Sequence, residues 1–123
     1  MLELLLWNCG GGPSDEKVGW LRRQPWDVAI LLEVSKTGLP RLERPSDGNE
    51  WATTSSIPTT TPRRGRRYGV ALLTRRSTVM ESPVASPQLS GRFDERIWAA
   101  KVTHEAIGSF VVAGFHAPNG AKG

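Results

Sequence analysis

The chain is poor in cysteine, in histidine and in long apolar runs. Cys9 is its one cysteine among 123 residues, so no internal disulfide framework and no cysteine-built zinc cluster can form. A reducing compartment is the default, and the absence of a signal segment points to the cytoplasm. No apolar run approaches the ~20 residues that a membrane span needs. The apolar opening MLELLLWN is short, carries Glu3, and has neither a basic lead nor a small-residue cleavage site. It reads as a strand and not as a signal peptide. No internal repeat is visible. Aromatics are scarce around the basic cluster Arg63, Arg64, Arg66 and Arg67, with only Tyr68 nearby, so base stacking is not indicated there.

What is present suits one globular domain. A hydrophobic content of 38% with five tryptophans is ordinary for a core. A chain of this size buries roughly two-thirds of the surface that its unfolded form exposes. The formal charge of +4 fits an anionic partner, although a surplus of surface arginine accounts for it equally well.

Leu2 to Asn8 reads as a strand, broken by Gly10, Gly11, Gly12 and Pro13. Ser14 suits a helix N-cap, and Asp15 and Glu16 suit the positive first turn. Val18 and Leu21 mark an apolar face, Arg22 and Arg23 suit the far end, and Pro25 ends the helix. The run DVAILLEV that follows is continuous and apolar, as in a strand buried on both faces. A strand-helix-strand unit of this kind has parallel strands, whose carboxyl ends share one edge of the sheet. Asn8 and Glu33 then face one crevice if the strands are neighbours.

Beyond Glu33 the style changes. Residues 35–65 are rich in Ser, Thr, Pro, Gly and Arg, with a short strand candidate near Trp51. The segments YGVALLTR, ERIWAAKVT and SFVVAGFH follow as strand candidates without crossover helices, which points to antiparallel pairing. His104 falls after Thr103 and beside Glu105, as a solvated residue of a hairpin turn would. Cys9 points away from the Asn8 face and reads as a small buried hydrophobe.

Four polar residues stand at strand ends on otherwise apolar faces: Asn8 with Leu2, Leu4 and Leu6; Glu33 closing its strand; Arg96 with Trp98, Ala100 and Val102; His116 with Val112. A polar group on a core face needs a partner or a task. The carboxylate of Glu33 is a hard oxygen ligand suited to Mg²⁺ or Mn²⁺. Asn8 is placed to orient Glu33 or a metal-bound water. His116 suits proton donation or charge stabilisation at a phosphoryl oxygen, and the fork of Arg96 suits a phosphate. Together they describe metal-assisted hydrolysis of a phosphate ester.

The ordered set WNCGGG, a helix, PWDVAILLEV, YGVALLTR, ERIWAAKV and VVAGFHAPNG resembles the endonuclease/exonuclease/phosphatase superfamily, which includes deoxyribonuclease I-like and exonuclease III-like enzymes. The resemblance runs over almost the whole chain. It implies an α/β fold, a four-layer sandwich with two central sheets, of which residues 1–123 are the N-terminal half and the C-terminal half is missing. It implies a magnesium-dependent phosphodiesterase or phosphatase activity on a phosphate-ester substrate, nucleic acid among the candidates. Asn8 matches the family's first-strand Asn, Glu33 its metal-binding Glu, and His116 the His that many members carry on the strand before the midpoint. Asn119 matches a Pro-Asn element at substrate phosphate, and Arg96 matches loosely an Arg near that phosphate. Leu32 stands where many members have Gln. The Gly-Asp-x-Asn motif and late Asp-His pair of the family's second half do not occur in this chain. The expectation is a severed, weakly active or inactive half with exposed strand faces, complemented by a C-terminal half or by a homo-oligomer.

Two rivals stand beside this reading. Gly10, Gly11 and Gly12 between a strand and a helix, with Glu33 closing the next strand, suit a dinucleotide-binding half-domain, but Asp15 stands where the fingerprint asks for its last glycine. The arginine cluster at 63–67 suits a non-catalytic nucleic-acid-binding module.

Overall fold

The computed structural model describes residues 2–43, 51–56, 68–76, 78–84 and 97–115. The fold is mixed α/β with two sheets. Strand β1 (Leu4–Asn8), helix α1 (Asp15–Arg23), strand β2 (Val28–Ser35) and the short helix α2 (Leu39–Glu43) come first. Strands β3 (Ala52–Ser55), β4 (Tyr68–Thr74), β5 (Thr78–Val84), β6 (Ile97–His104) and β7 (Gly108–Phe115) follow. The first sheet has the order β1-β2-β4-β3 and the second β5-β6-β7. Strands β1 and β2 are parallel neighbours, and every other pairing is antiparallel.

Helix α1 begins where its sequence says. The Ser14 hydroxyl accepts from the Lys17 N–H, Asp15 and Glu16 occupy the first turn, and Arg22 and Arg23 the last. Its buried Val18 and Leu21 meet Ala29, Leu31 and Val34 of β2, Ala71 and Leu73 of β4, and Leu39 and Leu42 of α2. The opposite face of the same sheet, through Val28, Val70 and Leu72, packs on Ala100, Val102 and Val112 of the second sheet. Strand β2 is thus buried on both faces, as its unbroken apolar run predicts.

Arg75 ties the lower end together. Its guanidinium lies 3.8 Å from the centre of the Trp26 ring and donates to the carbonyls of Trp26, Arg22 and Gln24. Asp27, buried beside it, accepts from the Glu3 N–H at 2.8 Å and meets Arg76 at 3.6 Å.

Gly114 fixes how the sheets stack. A Cβ there would lie 2.7 Å from both Ile30 Cγ2 and Val70 Cγ1, so only glycine lets β7 settle on β2 and β4. Gly114, near the carboxyl end of β7, thus lies over the middle of β2, at Ile30 and Leu32. The other end of β7 meets His104, which pairs with Thr78 just after the turn from Thr74, the partner of Val28. Strand β7 therefore runs in the same sense as β1 and β2 and ends at the same edge.

Three sequence expectations change. His104 is not solvated: it is 4% exposed, and its Nδ1 accepts from the Ala106 N–H. The alternation that turns Trp98, Ala100 and Val102 inward turns His104 inward too. Leu4 and Leu6 are not core residues: they are 60% and 67% exposed, while Leu5 and Trp7 face the helices. Strand β2 does not close at Glu33 but runs on to Ser35. The outer face of the second sheet exposes Val79, Val111 and Phe115.

Candidate active site

Asn8 and Glu33 come together at the carboxyl edge of the parallel pair, as their strand ends predict. Asn8 pairs in register with Leu32. Its Nδ2 donates to Glu33 Oε2 at 2.5 Å, and its Oδ1 accepts from the Gly10 N–H at 2.9 Å. The carboxamide is therefore held on both sides, and its N–H presents a fixed donor to the carboxylate.

Glu33 sits where β2 breaks step. The register against β4 shifts between Leu31 and Val34, and Glu33 has φ 54°, in the left-handed region. The shift shows in the burial pattern. Leu32 packs between the sheets, yet Val34, two residues on, packs under the helices with Leu31. One extra residue has turned the strand over, as a β-bulge does. Such a backbone conformation costs a non-glycine residue on the order of 1–3 kcal/mol and tends to collect at functional sites. Sequence periodicity cannot register it, because a strand apolar on both faces carries no parity to break.

The glycine loop wraps this bulge. Gly10 and Gly11 have positive φ, the Gly11 N–H donates to the Glu33 carbonyl at 2.8 Å, and the Ser35 N–H donates to the Gly12 carbonyl at 2.9 Å. Two of the N–H groups that a dinucleotide fingerprint would turn toward pyrophosphate are engaged within the chain. That geometry counts against the dinucleotide reading.

Cys9 is buried beside the pair, and burial pushes its thiol from 9.0 up to about 12, with Lys17 lowering and Glu33 raising it by smaller amounts. It is a packed hydrophobe, not a nucleophile. Arg96, His116, Asn119 and the cluster Arg63, Arg64, Arg66 and Arg67 lie outside the described residues. Ile97 and Phe115, the chain neighbours of Arg96 and His116, are register partners in the second sheet.

Among the described residues no group of three or more His, Cys, Asp or Glu side chains is gathered to hold a metal ion. The donor set that is present, one carboxylate fixed by a carboxamide, suits a hard cation that keeps several waters, as Mg²⁺ does. Among the described residues no helix is long and apolar enough to cross a membrane. No protein-family model, curated protein or solved structure matches the chain.

Proposed function

We propose that the chain carries part of the site of a metal-dependent phosphoesterase of the endonuclease/exonuclease/phosphatase type, acting on a phosphodiester or phosphomonoester. The observation that supports this most is the Asn8–Glu33 pair: a carboxylate set in a left-handed bulge at the carboxyl edge of parallel strands and gripped by a doubly anchored carboxamide. In this reading Glu33 holds Mg²⁺ or Mn²⁺, and Asn8 keeps its carboxylate turned toward the crevice. When bound, such a cation supplies Lewis-acid charge to a phosphoryl oxygen. His116 follows β7, which ends at that edge, and serves as proton donor; Arg96 and Asn119 contact substrate phosphate. The full four-layer sandwich belongs to the same proposal, with a further helical layer over the outer face of the second sheet. Nucleic acid is one candidate substrate.

Calorimetric titration with Mg²⁺ and Mn²⁺ tests this against Glu33→Gln, which keeps size and hydrogen bonding but removes the charge. Binding by the wild type and its loss in the variant are expected. Equal binding by both proteins would remove Glu33 as the ligand. Turnover of a chromogenic phosphodiester, compared between wild type and His116→Ala at equal thermal stability, tests the proton donor.

A further inference from the structure

The two sheets are out of step by one strand. Strand β7 lies over β2, where Gly114 meets Ile30, and β6 and β5 follow over β4 and β3. Among the described residues the first sheet continues past β2 to β1, whereas the second ends at β7. No described strand therefore lies above β1. Leu4 and Leu6, in register with Val28 and Ile30 and on the same inward face, stand exposed there.

The edges of the sheets are not alike. Strand β3 has four residues, too short to invite pairing, and β5 carries Glu81 and Pro83. Both are ordinary ways of blunting an edge. Strand β1, LLLWN, and strand β7, GSFVVAGF, bear no charge and no proline. The two unprotected edges are the two that border the open step.

We infer that this step is filled by a second copy of the chain. A step of one strand is complementary to itself. Rotate a second copy by a half-turn about an axis along β1, midway between the layers. Its β1 then enters the open place beside β7, and its own β7 comes beside the first copy's β1. Two strand edges are paired at once, and Leu4 and Leu6 of each copy face those of the other. Each sheet becomes four strands of one copy joined to three of the other. Because β7 runs in the sense of β1 and the axis preserves that sense, the new pairings are parallel. The contact is isologous and closes at two.

A strand of eight residues is about 27 Å long, and the layers stack about 10 Å apart. Side chains included, the wall covers on the order of 500 Å² per copy, near the lower end for specific association. At that size the pairing is expected to be weak and concentration-dependent.

Sedimentation of the full chain across ~1–500 µM, without metal or substrate, tests the pairing independently of any phosphoesterase activity. A monomer–dimer equilibrium is expected. Leu6→Lys, and separately Leu4→Glu, change side chains already exposed in the single chain. Each should weaken the dimer roughly a hundredfold, from the apolar surface lost twice per dimer, at unchanged helix and strand content. A Leu6→Cys variant should be captured as a covalent dimer by a short bis-maleimide, while wild type, with Cys9 buried, should not. A monomer throughout the range would overturn the inference. So would an open-ended ladder of sizes, or a dimer indifferent to both substitutions.

Discussion

At most strand positions alanine is a better residue than glycine, because glycine loses more chain entropy on folding, by about 0.5–1 kcal/mol. At Glu33 the order should reverse. Its φ of 54° puts the Cβ against the following carbonyl, which costs an L-residue about 1–2 kcal/mol. Glu33→Ala keeps that strain, and Glu33→Gly relieves it. Both remove the carboxylate and its hydrogen bond from Asn8 Nδ2, so those losses cancel in the comparison. Set against the glycine entropy, relief of strain leaves Glu33→Gly ahead of Glu33→Ala by about 0.5–1 kcal/mol. For a domain of this size that is roughly 2–6 °C in Tm. Urea unfolding followed by tryptophan fluorescence, with thermal scans by circular dichroism, measures it. If Glu33→Ala equals or exceeds Glu33→Gly, the bulge is unstrained and the case for a functional strain at this residue fails. If Glu33→Gly also exceeds wild type in stability while losing cation binding, the glutamate is retained against the interest of the fold.

The remaining predictions concern packing and titration. Gly114→Ala would place a methyl group 2.7 Å from both Ile30 and Val70; a loss of about 1–3 kcal/mol is expected in urea unfolding, with partial recovery when Val70→Ala is added. The Cys9 thiol, pushed up to about 12 from 9.0, remains protonated in the folded chain at pH values where the unfolded chain releases its proton. The unfolded state therefore binds fewer protons over that window, and stability falls with rising pH by up to about 1.4 kcal/mol per unit between those values. Cys9→Ala should remove that part of the alkaline slope, and identical slopes in the two proteins would contradict it.

The legible parts of this fold are those where local chemistry and tertiary role agree. Ser14, Asp15 and Glu16 announce the start of α1, the unbroken apolar run of β2 announces burial on both faces, and the alternation in β6 and β7 announces an inward row. Strand β5 hides because Glu81 and Pro83 interrupt its apolar alternation; Glu81 is tolerable because its carboxylate meets Thr103, Ser109 and Lys101 on the exposed face, and Pro83 because β5 is an edge among the described strands. Helix α2, LPRLE, is too short to show a period. The exposure of Leu4 and Leu6 is illegible for another reason. Periodicity tells which residues share a face but not whether a second layer reaches over it. At the site, strand ends bring Asn8 and Glu33 together on the strength of parallel pairing alone. The bulge that aims the carboxylate comes from the loop of Gly10, Gly11 and Gly12 closing on β2, a contact made only in three dimensions.

The open step and the candidate site share β1, and this ties the two proposals together. Asn8 continues the row of Leu4 and Leu6 on one face of that strand. A half-turn about an axis along the strands keeps both carboxyl ends at the same end of the pair. The two Asn8–Glu33 pairs would therefore approach one crevice, each bringing a carboxylate. Without a cation these like charges oppose association; with one they are shared, and a cation that binds the pair better than the single chain must strengthen the pair by the same factor. The dimer should therefore tighten as Mg²⁺ is added, and Glu33→Gln should abolish the tightening while strengthening the metal-free dimer. Leu6→Lys leaves both polar residues in place, yet it should weaken cation binding by weakening the pair. A monomeric Leu6→Lys protein that binds Mg²⁺ as tightly as wild type would break the link: each Glu33 would then serve its own chain alone, and the second copy would fill the open step without completing the site.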